Sequence, residues 1–230
     1  DACVQLKDAQ MGCILHAQIT IANLGNQETQ LIVGTALINM YSKSGLLQDA
    51  YNTFEKLPIK DIASWNAMIQ GYSMNHDDGK LALGLFDSMH LHGVKPDAIT
   101  FACVLSACGR ANLVVKGRQI FKMMNEAHRI SPMMDHFTCM VDLFGRAGHI
   151  EKAIGIIQEM PYYDHPPVWI ALLGSCRSRG DVTVGRLAFD QSIQIYSTCA
   201  AAYLLMREIY IAAGMPKAAL GIDTMREKNV

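Results

Sequence analysis

The sequence predicts an all-α fold of tandem two-helix hairpins, a right-handed α-solenoid, and three observations carry the helical repeat. Six anchors, Gly34, Trp65, Phe101, Phe137, Trp169 and Tyr203, recur at spacings of 31, 36, 36, 32 and 34 residues. Each opens a segment of helical periodicity, and Gly45, Gly148, Gly180 and Gly214 mark turns after which a second amphipathic segment follows. No strand-like alternation of useful length interrupts the pattern. A period near 34 residues with two helices per unit marks a helical solenoid, which works through an extended surface and not through one deep pocket.

The units follow in order. Residues 1–30 read as the back of a partial unit. In 31–61 the first helix carries Leu37, Met40 and Tyr41 at i, i+3 and i+4. Ser44-Gly45 breaks that helix, Leu47, Ala50 and Phe54 line the second, and Pro58 is expected to end it. Unit 62–97 repeats the stripe as Trp65, Ile69 and Tyr72, turns at His76-Asp77-Asp78-Gly79, and continues with Ala82, Phe86 and Met89. Unit 98–133 has Phe101, Leu105 and Cys108, then Ile120, Phe121 and Met124. Unit 134–165 has Phe137, Val141 and Phe144, then Ile156, Ile157 and Met160. The last two units, 166–199 and 200–230, carry Trp169, Leu173 and Cys176, and Tyr203, Met206 and Tyr210. Proline corners at Lys95-Pro96-Asp97, Ser131-Pro132 and Pro166-Pro167 stop each helix and turn the chain back.

Composition narrows the functional classes. Half of the 230 residues are hydrophobic, ample for a continuous core, and the periodicity spreads that core along one elongated array. Net charge is −1, so there is no strong basic field, and any nucleic-acid contact must rest on local placement. Fourteen methionines suit irregular gaps between stacked units. The seven cysteines, Cys3, Cys13, Cys103, Cys108, Cys139, Cys176 and Cys199, are odd in number and mostly lie in apolar runs. They read as buried, reduced thiols in a reducing compartment. No apolar run reaches the roughly 18 residues of a membrane span, so no membrane partner is expected. The chain begins at Asp1, inside a repeat and without Met, and reads as part of a longer protein.

The units resemble pentatricopeptide repeat (PPR) proteins of the plant PLS class, which alternates long, short and standard repeats. Thr35–Gly45 (TALINMYSKSG) is similar to the short type, and Ser64–Tyr72 (SWNAMIQGY) closing at Gly93–Asp97 (GVKPD) to the standard type. Ile99-Thr100-Phe101 through Val104–Cys108 (VLSAC) resembles the long type, and Cys139–Gly148 (CMVDLFGRAG) the last short repeat. Trp169–Arg177 (WIALLGSCR) and Tyr203 to Gly214 resemble the two E-type motifs that follow it. On this resemblance, residues 1–30 belong to a partial long repeat, 31–61 and 134–165 are short repeats, 62–97 is standard, 98–133 is long, and 166–199 and 200–230 are E-type motifs.

The resemblance implies a site-recognition factor for C-to-U editing of organellar RNA, mitochondrial by family abundance, with the chloroplast as the alternative. Its implied partners are single-stranded organellar RNA and either a multiple organellar RNA editing factor or a deaminase-bearing PPR protein. In the family a repeat reads one base through its fifth and last residues. Here those are Thr35 and Asp61, a pair implied to prefer G, and Asn66 and Asp97, implied to prefer U. The long unit offers Ala102 and Met133, which have no polar edge, and the last short unit offers Thr138 and His165. Ile170 and Leu204 stand at the fifth position of the E-type units and are assigned to protein contacts or capping. The second residue flanks the base. Ile32 and Ile99 are suited to stacking, whereas Ala63 and Asp135 depart from the usual aliphatic. Read without the family, Thr35 and Asn66 are polar residues of a solvated helix face, and Asp61 and Asp97 are helix N-caps.

Lys43, Arg110 and Arg146 fall at one position of their units, where a stacked array aligns them toward phosphates. Cations at helix C-termini are the equal alternative. His149-Ile150-Glu151 matches the H-x-E half of a zinc deaminase signature, but it lies at an inter-helix turn and no C-x-x-C accompanies it. No phosphate loop, nucleophile elbow or paired catalytic acids are present, so the chain reads as non-enzymatic, with no cofactor or metal. A second function stays open on the residues alone: a protein–protein adaptor or structural component of an organellar ribosome or polymerase assembly.

Overall fold

The structure is a computed structural model that describes residues 26–74, 79–161 and 164–229. The expected turn at 76–78, the partial unit before residue 26, and Cys3 and Cys13 lie outside the described residues. Twelve α-helices and no strand occur among the described residues. The chain divides into two compact units.

The first unit comprises Asp1–Ala111 with Glu126–Ile130. It holds α1 (Gln27–Lys43), α2 (Leu47–Glu55), α3 (Ile62–Met74), α4 (Gly79–Leu91) and α5 (Ala98–Arg110). α1 packs on α2 and α3, and α3 packs in turn on α4 and α5. The second unit comprises Asn112–Asn125 with Ser131–Val230. It contains nearly all of α6 (Val114–Glu126), then α7 (Met134–Arg146), α8 (Ile150–Glu159), α9 (Pro166–Arg179), α10 (Val182–Ile195), α11 (Ala200–Ala212) and α12 (Pro216–Asn229). There α7 packs on α8 and α9, α9 on α10 and α11, and α11 on α12.

The aromatic anchors explain the period. Trp65, Phe101, Phe137, Trp169 and Tyr203 each occupy the fourth residue of a hairpin's first helix, and all five are buried. Four of them meet a phenylalanine on the second helix of the preceding hairpin. Phe54–Trp65, Phe86–Phe101, Phe121–Phe137 and Phe189–Tyr203 pack edge to face, with ring centroids 4.8, 5.7, 5.8 and 5.3 Å apart. Each such pair contributes about 0.5–1.5 kcal/mol beyond its buried area and ties one hairpin to the next. The apolar stripes fall inside largely as expected, with Leu105, Cys108, Leu173, Cys176 and Met206 fully buried. Leu47, Tyr72, Phe121 and Ile156 are only half-buried, at the margin of their stripes.

Two expectations shift. Gly34 does not open a helix. α1 begins seven residues earlier, because the Asn26 side chain accepts the Thr29 N–H at 2.7 Å and caps it there. Gly34 is instead a contact point, since a Cβ there would run into the Leu57 side chain. α2 stops at Glu55, ahead of Pro58, with the Lys56 N–H closing its last turn on the Asn52 carbonyl. The expected turn glycines all take the left-handed conformation, with φ between 70° and 83°. Asn112, at φ 55°, does the same work after α5, which explains why no glycine marks that turn.

Candidate functional site

The expected base-reading residues sit on the first helices of successive hairpins. Asn66 lies on α3, is 8% exposed, and meets the end of its own repeat across 31 residues of chain. Its Nδ2 donates to Asp97 Oδ1 at 3.1 Å. Asp97 is the N-cap of α5, and its Oδ1 also accepts the Thr100 N–H at 2.8 Å. The capping reading and the paired reading of Asp97 therefore hold together in one carboxylate. Burial pushes the Asp97 carboxyl up, but hydrogen bonds from the Thr100 backbone, Asn66, the Thr100 hydroxyl and the Ile99 backbone outweigh that and hold it below the usual carboxylate range.

Thr100 completes this cluster, and it was absent from the expected set. Its hydroxyl lies 2.6 Å from Asn66 Oδ1 and 2.9 Å from Asp97 Oδ1, and it accepts the Asp97 N–H at 3.1 Å. The sequence held a signal for it: a threonine three residues after an N-cap aspartate. The expected base-flanking residues Ala63 on α3 and Ile99 on α5 are exposed, Ile99 by 61%.

The neighbouring hairpins are built differently. Thr35 on α1 is half-buried, and its Oγ1 is buried without a hydrogen-bond partner. Asp61 accepts the Ser64 N–H at 2.9 Å, as a helix-start carboxylate does. Ile32, the second residue of that unit, is 65% exposed. In the second unit Thr138 spends its hydroxyl on the Met134 carbonyl at 2.9 Å. His165 precedes α9 with its Nε2 buried and unpartnered, and Asp135 is exposed.

The three cations at one repeat position have different surroundings. Lys43 is exposed at the end of α1. Arg110 donates from Nη1 to the Met74 carbonyl of the preceding hairpin at 3.2 Å. Arg146 is exposed and pairs with Asp142, Nε to Oδ2, at 2.7 Å. The helix-end role is thus occupied at Arg110, while Lys43 and Arg146 keep solvent-facing charge. His149 and Glu151 are exposed at the start of α8. Among the described residues no group of three His, Cys, Asp or Glu is placed to hold a metal ion, and no helix is long and apolar enough to cross a membrane.

Residues 35–62, 99–128 and 135–164 match the PPR repeat, and residues 60–110 match the PPR repeat family. Pentatricopeptide repeat-containing protein At2g13600 of Arabidopsis thaliana is 35% identical over 100% of this chain and 33% of its own length. The chloroplastic At3g57430 of the same plant is 35% identical over 100% of this chain and 26% of its own length. A mitochondrial relative, At1g77010, is 34% identical over 100% of this chain and 32% of its own length. The chain thus spans about a third of the length of the curated relatives it matches. Among solved structures, PPR10 in complex with an 18-nt psaJ RNA element superposes with a TM-score of 0.79, at 15% identity, over 98% of this chain and 33% of that one. A structure of PPR10 from maize gives 0.61 at 20% identity, over 84% of this chain and 29% of that one. At such identities the likeness bears on the fold, the stacked hairpins of an α-solenoid. The matched repeats cover more than half of the sequence, and the chain belongs to the pentatricopeptide repeat family.

Proposed function

We propose that this chain binds single-stranded organellar RNA in a base-specific way and serves as a recognition segment for C-to-U editing. In this reading Asn66 with Asp97 takes a uridine, and Thr35 with Asp61 takes a guanosine on its 5′ side. Thr138 and His165 contribute a weaker contact. Ile32, Ala63 and Ile99 flank the bases, and Lys43, Arg110 and Arg146 lie toward the phosphates. The observation that carries the reading is the convergence of Asn66 and Asp97 to 3.1 Å, with Ala63 and Ile99 exposed on the same two helices. A splayed base stacked between two such positions presents its edge to the pair, which is how helical repeats read one base each. The RNA-bound PPR10 of the same fold supports the ligand class, and the chloroplastic and mitochondrial relatives support an organelle. The last hairpin exposes Leu204, Ile211 and Leu220, which suits contact with a protein such as an editing factor or deaminase.

Two good pairs and one or two weak ones contribute roughly 3–7 kcal/mol at about 1–3 kcal/mol per base. That corresponds to micromolar-to-millimolar binding by this stretch. Nuclear magnetic resonance titration with ten-nucleotide strands that differ only at a central GU tests it. Replacing the U by C or A is expected to weaken binding about tenfold. Equal binding of all the strands, or a preference untouched by Asn66→Ser, would overturn the reading. Stoichiometric, RNase-insensitive recovery with a ribosome or polymerase assembly would select the adaptor function instead. The apolar Ala102 and exposed Met133 of the middle hairpin favour that alternative.

A further inference from the structure

The third residue of each hairpin lies outside the expected reading pairs, yet its side chain differs in what it holds. In α3 it is Ser64, whose hydroxyl donates to the Asp61 carbonyl at 2.8 Å and so turns back on its own helix start. In α7 it is His136, whose Nδ1 accepts the Met133 N–H at 2.9 Å. In α5 it is Thr100, and here the hydroxyl reaches the preceding hairpin, at Asn66.

Donor and acceptor inventory fixes the roles. An ionised Asp97 only accepts, so it faces the amino end of the Asn66 carboxamide. The Thr100 hydroxyl accepts the Asp97 N–H, so its own proton points toward the two oxygens, and the shorter separation is to Asn66 Oδ1. One end of the carboxamide is anchored by Asp97 and the other by Thr100. What remains on Asn66 is one N–H and one oxygen lone pair, each at a fixed end of the carboxamide. Uracil offers a carbonyl beside N3–H, and cytosine offers an amino group beside a bare N3. The two patterns are mirror images, so an amide free to turn end over end serves both, and an anchored one serves only one.

We propose that Thr100 is a positioning residue for base discrimination at Asn66, holding the carboxamide so that it reads uridine and rejects cytidine. This rests on the RNA-binding reading above. The consequence is that the base specificity of one hairpin depends on the third residue of the next. Thr35 receives no such support from Ser64, whose hydroxyl is spent on the Asp61 carbonyl.

The experiment compares the full chain with Thr100→Val and Thr100→Ser, titrated with ten-nucleotide strands carrying a central GU or GC. The native chain is expected to favour GU about tenfold. Thr100→Val keeps volume and the backbone cap on Asp97, and loses about five- to tenfold in that ratio, the worth of one net hydrogen bond. Thr100→Ser restores the hydroxyl and the ratio. Circular dichroism melts confirm that each variant is folded, and Thr100→Ala replaces the valine variant should that one not fold. Unchanged discrimination in Thr100→Val, with Asn66→Ser abolishing it, overturns the positioning role alone. Absence of any GU preference in the native chain overturns the RNA reading and this proposal with it.

Discussion

Arg110 reaches out of its own hairpin to the Met74 carbonyl, 36 residues back, and closes the end of α3 with a 3.2 Å hydrogen bond. A cation satisfying a terminal carbonyl serves both hydrogen bonding and the helix dipole. Arg110→Met is therefore expected to lower stability by about 0.5–1.5 kcal/mol in chemical denaturation. Lys43→Met, with no such bond to lose, should leave stability within about 0.5 kcal/mol. In RNA titrations against salt the order reverses. Lys43→Met should flatten the log–log slope by about one, and Arg110→Met by less. Equal slopes for the two variants would show that Arg110 serves phosphate as freely as Lys43 does.

The Asp97 carboxyl is held below its ordinary range, which sets the sign of an acid effect. A group depressed on folding contributes stability that is complete above its unfolded value and is lost as pH falls through the folded one. The thermal midpoint should therefore drop below about pH 4. Asp97→Asn should start lower at neutral pH and fall less steeply on acidification. Parallel acid limbs for the two proteins would contradict this assignment.

Two glycines mark where first helices of neighbouring hairpins touch. A Cβ on Gly71 would overlap Ser42 Oγ and sit 2.8 Å from Ser42 Cβ. One on Gly145 would meet Ser175 in the same way, 2.6 Å from its Cβ. Gly71→Ala and Gly145→Ala should each cost about 1–3 kcal/mol through overpacking. Gly84, exposed within α4 with open space around it, should gain about 0.5–1 kcal/mol on conversion to alanine. Denaturation midpoints moving in the same direction for all three would refute the contact assignment.

Burial, with Asp97 adding, pushes the Cys103 thiol up to about 11, and burial with Asp181 nearby pushes Cys176 up to about 12. The thiolate is the reactive species, so both should resist iodoacetamide at pH 8 in the folded chain. Among the cysteines of the described residues, the half-buried Cys139 and Cys199 should label first, as read by peptide mass mapping. Rapid labelling of Cys176 without unfolding would contradict its place in the core.

Much of the architecture was legible because aromatic anchors and helical stripes are one-dimensional signals. Phe101, Trp169 and Tyr203 announce their own burial, and Gly148 and Gly214 their turns. The beginning of α1 was not legible in that way, since a cap at Asn26 competes with the repeat register at Leu31. Nor could spacing alone assign Arg110, because its partner is a backbone carbonyl, which has no signature in side-chain identity. The pairing of Asn66 with Asp97 was expected from family resemblance, but the share taken by Thr100 needed three-dimensional placement. Thr100 looked like an ordinary cap partner until its hydroxyl was seen to face two chain segments at once.

Because one carboxylate both starts α5 and grips Asn66, the base-reading module of the proposed function would not end where the structural hairpin does. A cassette cut after Asp97 would carry the letter but leave its brace behind. Grafting this specificity onto another array of hairpins would require the donor segment to run on through Thr100, overlapping its successor by one helical turn.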